Sequence, residues 1–480
     1  NSNIIVEGDV SKSEADIIDN YSDANGIVTL TSITDSLQNI KLVAENTNIS
    51  LETSTIKVTD KATLIDATTL NSFTSNRVVL DIVNDNFDNL VAIKALDSQT
   101  NGPEGQNQQQ EQRDVVSISN ALITVSDPIS LSQTETVNTF TNKLVNLTSV
   151  VDSFGNLKKI SEIPSNQVTM SNALVQVTDS VGINKINELR DTTTANITVD
   201  KLRGSKQNII DINNYNATPG VNGDVLISEA KITVTNSVDK SEVDTINKFT
   251  TSQITLEKVT DNFENVKSIH DLTPTEENPD GVDLTDATIT ITDPVSLSQA
   301  ETANGFSDGL ITLNSVIDSY DNLLAIDAIP SDQLTMADAA VQVTDEVDLS
   351  KINDLRADTT GNITVDEIKD SKENLDEINS FEIQRDTQQQ PINGDVILSN
   401  SDITVTDVVN REEADVINGY NDVSGTVTLT SVTDLLENVN ALSTTAGISI
   451  ATSDLKVTDV TTLSDVAIEI PAVVDRALTF

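Results

Sequence analysis

The side chains able to do chemistry in this chain are mostly carboxylates, and they recur. Taking the end of each β-rich run as a reference gives one series: Gly8, Asp60, Asp127, Asp179, Asn236, Asp293, Asp345, Asp407 and Asp459. A second series is Asp35, Asp85, Asp152, Gly204, Asp261, Asp318, Asp370 and Asp434. Fourteen of the seventeen positions are Asp, one is Asn and two are Gly. Two roles fit such a row. Hard cations such as Ca²⁺ need several oxygen ligands, so the row could be a line of calcium sites. Asp, Asn and Gly also share a tolerance of tight turns, and the first two accept local N–H bonds. The exceptions favour the turn and capping role, because Gly8 and Gly204 would interrupt a line of ligands.

A second oxygen-rich cluster is Glu276, Glu277, Asp280, Asp283 and Asp286. It is a candidate metal site, although it lacks the D-x-[DN]-x-[DN]-G spacing of an EF-hand. Calcium is the one cofactor the sequence raises. Catalysis has little to draw on. His270 is the single histidine and there is no cysteine. G-x-S-x-G, P-loop and H-E-x-x-H patterns are absent, so no catalytic or cofactor-binding residue is assigned. Carboxylate pairs suited to glycan hydrolysis arise by chance among 76 acids. A non-enzymatic protein is expected.

The elements that carry these carboxylates repeat with a period of about 26 residues, because the second series follows the first by 25 or 27. In odd-numbered coils, three residues past the reference sits Ser11, Ser130, Asp239, Ser296 or Asn410. Three further on comes Glu14, Gln133, Glu242, Gln299 or Glu413. This is the spacing of a capping box at the start of a helix. Tyr21, Phe73, Phe140, Phe249, Phe306 and Tyr420 lie thirteen past the reference. In even-numbered coils, Asn is always four past it: Asn39, Asn89, Asn156, Asn208, Asn265, Asn322, Asn374 and Asn438. The next residue is always Leu, Ile or Val, with another apolar residue three later. That fits one helical turn facing a core. The segment 127–212 is echoed by 293–378 at an offset of 166, and Arg190 and Arg356 mark the pair of coils that lack the aromatics.

A coil of one or two short strands and one short helix cannot bury itself alone, but a stack can. The fold expected is a β-rich repeat solenoid of β-α coils, with parallel strands stacked into two β faces and one helical side. A string of compact α+β modules of about 52 residues is the alternative. The Asn positions would form a structural ladder and the aromatics a stack. Runs such as ITL-NS-VID and QVTM-SNA-LVQVTD suggest two strands meeting at a corner.

Along the chain, repeat pairs occupy 1–93, 121–212, 287–378 and, incompletely, 401–465. A single long repeat fills 213–269. Polar, acidic and Gln-rich inserts occupy 94–120, 270–286 and 379–400, and an apolar tail fills 466–480. The inserts leave the register intact, so they belong on one face of the stack.

Hydrophobic residues are 37% of the chain and aromatics 3%, which suits thin aliphatic layers. The formal charge of −48 argues against nucleic acid and anionic membranes as partners. No apolar run reaches the length of a membrane helix. The chain opens on Asn1 without a visible signal peptide, as a processed chain or a segment of a longer one would.

The pattern VTD-x₂-(S/D)-x₂-(E/Q)-A-x₂-(I/L)-N-x-(F/Y), followed by ITL-x-SVTD-S-(F/Y)-x-NL-x-AI, resembles repeats of very large surface proteins of marine bacteria and cyanobacteria. That resemblance implies an extracellular or cell-surface location and a structural or adhesive role. A self-assembling fibre, sheath or layer is expected first. Its ends would be the strand at Ile4, Ile5 and Val6 and the tail bearing Ile468, Ile470, Val474 and Phe480, which could join copies of the chain. An adhesin touching glycans through its inserts comes second, and a glycan-degrading β-solenoid enzyme third.

Overall fold

The computed structural model describes residues 3–22, 26–97, 115–215, 222–274, 280–381, 384–385, 391–421 and 424–459. Among them, 25 strands of a long parallel sheet alternate with 16 short helices, which is the expected repeat solenoid of β-α coils. These parallel strands belong to one sheet. The chain divides into two compact units, 1–233 with 246–252, and 234–245 with 253–480. Neither has the size of a 52-residue module.

In the first unit the strand Val28–Asp35 shows how a coil is built. Its residues Val28, Leu30 and Ile33 are fully buried, and the helix that follows, Leu37–Glu45, covers them with Ile40 and Val43. The apolar residues five and eight past each even reference position all lie buried in this way, as their spacing predicts. Helices are only seven to ten residues long, because strands stack closer than helices can.

Odd and even strands differ. An even strand is continuous, so the corner expected in ITL-NS-VID does not form: Ile311–Asp318 is one strand. An odd strand is broken. In the second unit Leu334–Thr335 pairs with Ile311 and Thr312, and Ala340–Val347 pairs with Ser315 to Asp318 after an intervening turn. The corner expected in QVTM-SNA-LVQVTD is the same break, between Val168–Thr169 and Leu174–Val181. Odd strands also carry a bulge. Val343 faces Val365 and Glu346 faces Glu367, so Thr344 and Asp345 together oppose Asp366. The bulge re-aims the reference Asp of the odd coil.

Small residues let the coils close. Ser54, Ala121, Ala173, Ala230, Ala287, Ala339, Ser401 and Ser453 occupy one position at the turn of the odd coils, all almost fully buried. The residue just past the helix donates a hydroxyl to the carbonyl there. Examples are Thr141 to Ala121 at 2.6 Å, Thr193 to Ala173 at 2.6 Å and Thr359 to Ala339 at 2.7 Å. The same Thr141, Thr193 and Thr359 oxygens accept the N–H two residues on. A buried polar side chain is thereby satisfied twice.

Candidate functional site

The recurrent carboxylates all act in one way. Each of the fourteen reference Asp residues accepts the first backbone N–H of the helix in the preceding coil. In the first unit Lys12, Leu37, Leu64, Phe87, Leu131 and Phe154 donate to Asp35, Asp60, Asp85, Asp127, Asp152 and Asp179. In the second, Lys240, Phe263, Leu297, Tyr320, Leu349, Lys372, Arg411 and Leu436 donate to Asp261, Asp293, Asp318, Asp345, Asp370, Asp407, Asp434 and Asp459. The distances run from 2.6 Å, at Asp60, to 2.9 Å, at Asp318. The first N–H groups of a helix have no partner inside it, and a negative charge there also complements the helix dipole. Each Asp is thus a cap supplied by the next coil.

In even coils the carboxylate does more. Asp318 Oδ1 also accepts Ser319 N–H at 2.8 Å and Asn322 Nδ2 at 2.8 Å. Partial burial opposes its ionisation. The bonds from Asn322, Leu297 N–H and Ser319 N–H outweigh it and hold the carboxyl below its ordinary range. Asp35, Asp152, Asp261 and Asp434 are held low by the same balance.

The Asn ladder is therefore corrected. Asn39, Asn89, Asn156, Asn265, Asn322, Asn374 and Asn438 each donate to the Asp of their own coil, four residues back. Asn sits in the first turn of the helix, and its amide is used within its own coil. Asn208 instead faces Gly204, where no carboxylate exists.

Among the described residues no continuous aromatic stack forms either. Phe306 meets Phe263 at 6.0 Å and His270 at 4.7 Å, while Tyr21 is 80% exposed. Other rings take cations. Lys185 lies over Phe154 and Lys351 over Tyr320, at 5.2 and 5.1 Å. Arg190 lies over Tyr215 and Arg356 over Phe381, at 4.2 and 3.9 Å. Both pairs repeat at the 166-residue offset, which accounts for the two arginine-bearing coils.

The expected metal cluster is not brought together among the described residues. Asp280 and Asp286 are exposed, and Asp283 accepts the Thr285 N–H at 3.0 Å and its hydroxyl at 2.8 Å. Glu276 and Glu277 lie outside the described residues. Among those described, no group of three or more His, Asp or Glu is placed to hold a metal ion. Of the expected assembly residues, Ile4, Ile5 and Val6 lie in the strand Ile4–Val10. Ile468, Ile470, Val474 and Phe480 lie outside the described residues, as does nearly all of the 97–114 insert.

Two further groupings emerge. Tyr320 donates its hydroxyl to Asp354 at 2.8 Å. Burial, then the charges of Asp327 and Asp354, push the neighbouring Asp358 up to about 6. The second is a cleft of about 430 Å³ in the second unit, lined by Gln253, His270, Asp283, Thr285, Phe306 and Asp308 among others. Of its lining, the sequence singles out His270 for its rarity, Asp283 as a candidate metal ligand and Phe306 as a recurring aromatic, with nothing that joins them.

No protein-family model matches the chain, and a comparison with curated proteins also finds no match. Among the described residues no helix is long and apolar enough to cross a membrane.

Proposed function

We propose that this chain is a non-enzymatic structural repeat protein of a cell surface, joining copies of itself end to end into a fibre, sheath or layer. The observation that carries the reading is the use of the carboxylates: fourteen of them make the same joint between successive coils. A chain built this way extends by repetition, and its polar chemistry is spent on holding the stack.

The strand Ile4–Val10 adds support. Among the described residues it pairs on one side only, with Val28–Asp35, and Ile5 is 69% exposed. The corresponding position in other odd strands holds Lys57, Thr124, Gln176 or Thr290. An exposed apolar side chain where its counterparts are polar suits contact with another chain.

Negative-stain micrographs and sedimentation of the purified protein over a range of concentrations, with calcium and with chelator, test the reading. Concentration-dependent fibres or sheets are expected. A monodisperse monomer under every condition would end it.

A further inference from the structure

We propose that the cleft beside His270 is a binding subsite for a ring of an uncharged saccharide. The inference deepens the glycan-contact role raised by the sequence and does not depend on end-to-end assembly.

The cleft lies where the helix Phe263–His270 ends against the turn at Asp283 to Thr285 and the loop at Gly305 to Asp308. Its volume of about 430 Å³ lies in the range of small-molecule sites. Its groups suit a polyol. Asp283 and Asp308 offer acceptors for sugar hydroxyls, and Gln253 offers both a donor and an acceptor. His270, half-buried and held at 4.7 Å from Phe306, presents a ring edge and face to the apolar side of a sugar. Phe306 is itself 6% exposed, so it fixes the imidazole more than it meets a ligand. Two carboxylates at the opening, in a chain of formal charge −48, turn away anionic sugars.

One of the equivalent corners of the first unit is arranged differently. There Arg77 holds the position of Gln253 and Ser117 that of Asp283. The Arg77 guanidinium donates to Ser117 Oγ at 2.7 Å, spanning the space that the shorter Gln253 leaves.

Saturation-transfer NMR on the whole chain tests the proposal. The probes are neutral hexose and N-acetylhexosamine oligosaccharides at millimolar concentration, with oligogalacturonate as the anionic comparison. Transfer to at least one neutral probe is expected, with none to oligogalacturonate. Gln253→Arg, which installs the residue of the first unit, should weaken binding about tenfold or more, and Asp308→Ala should also weaken it. Asp308 is exposed and Gln253 partly buried, and unchanged far-UV circular dichroism confirms the folding of both variants. His270→Ala separates ring contact from filling of the cleft, and should weaken binding with the neutral probes. Absence of transfer to every neutral probe overturns the proposal. So does binding that Gln253→Arg leaves unchanged, or stronger binding of oligogalacturonate.

Discussion

The carboxylate of Asp318 accepts the backbone N–H of Leu297 at 2.9 Å, across a coil boundary and 21 residues back along the chain. The same side chain holds Ser319 and Asn322 in its own coil. One residue thus organises the starts of two successive helices. Replacing it with Ala removes three bonds to a charged acceptor and leaves the Leu297 amide without its cap. A loss of about 2–3 kcal/mol is expected in denaturant unfolding. Asn322→Ala, which removes one donor only, should cost about 1 kcal/mol.

The one even coil without the carboxylate offers the converse. Gly204 stands at the reference position, and Gly182, the cap residue of the helix Ile183–Arg190, gives it no side-chain bond. A Cβ on Gly204 meets Asn208 Cβ at an ordinary 3.4 Å. Gly204→Asp should therefore bring a carboxylate to Asn208 and to the first N–H of that helix. A gain of about 1 kcal/mol, read as a raised thermal midpoint, is the expected result.

Acid should dismantle the joints. Asp35, Asp152, Asp261, Asp318 and Asp434 have folded pKa values below their unfolded ones. Their stabilisation is complete above the unfolded value of about 3.9 and disappears as pH falls through the folded values. The contribution of these five should be flat from neutral pH down to about pH 5 and then fall steeply, which the Asp358→Asn background shows free of that residue's own titration. Far-UV circular dichroism in denaturant at stepped pH reads this directly.

Asp358 has the opposite sign. Its folded pKa is raised to about 6, so it favours the fold when protonated, and that contribution is lost as pH rises from the unfolded value through about 6. Asp358→Asn should stabilise the protein at neutral pH and make little difference at pH values below the unfolded carboxyl range. Unfolding curves at the two extremes separate these outcomes.

The duplicated coils exchange partners. Tyr320 bonds Asp354, while at the 166-residue offset Phe154 has no hydroxyl and Glu188 pairs with Lys158 at 3.0 Å. Both pairs are near the surface, so Tyr320→Phe should cost no more than about 1 kcal/mol. Phe154→Tyr should gain nothing unless Lys158 is also replaced, which a double-mutant cycle measures.

Much of the stack is legible in the sequence. The 26-residue period, the capping boxes at Ser11, Ser130, Asp239, Ser296 and Asn410, and the buried column from Ile40 to Val439 follow from spacing alone. Thr63 and Asp66 make a further box that the Glu/Gln rule overlooks, because a shorter acid closes it. The direction of the Asp bonds was not legible: a repeat reveals that a residue recurs, not which neighbouring coil it reaches. A sign of the hydroxyl column was present, since Thr141, Thr193, Thr250, Ser307 and Thr359 fall fourteen past the reference. The aromatic beside it is the more conspicuous signal, although in that column Phe306 packs on Phe263 and His270 while Tyr21 is exposed. The cleft at His270 depends on Gln253 and Asp283, thirty residues apart, which no local pattern connects.

The central claim, that each Asp caps the coil before its own, is tested most directly by amide hydrogen exchange on Asp318→Ala. Protection should fall in the helix Leu297–Ala303, one coil upstream of the substitution, as well as near Ser319. Unchanged protection at Leu297–Ala303, with loss confined to the coil that contains residue 318, would contradict the claim.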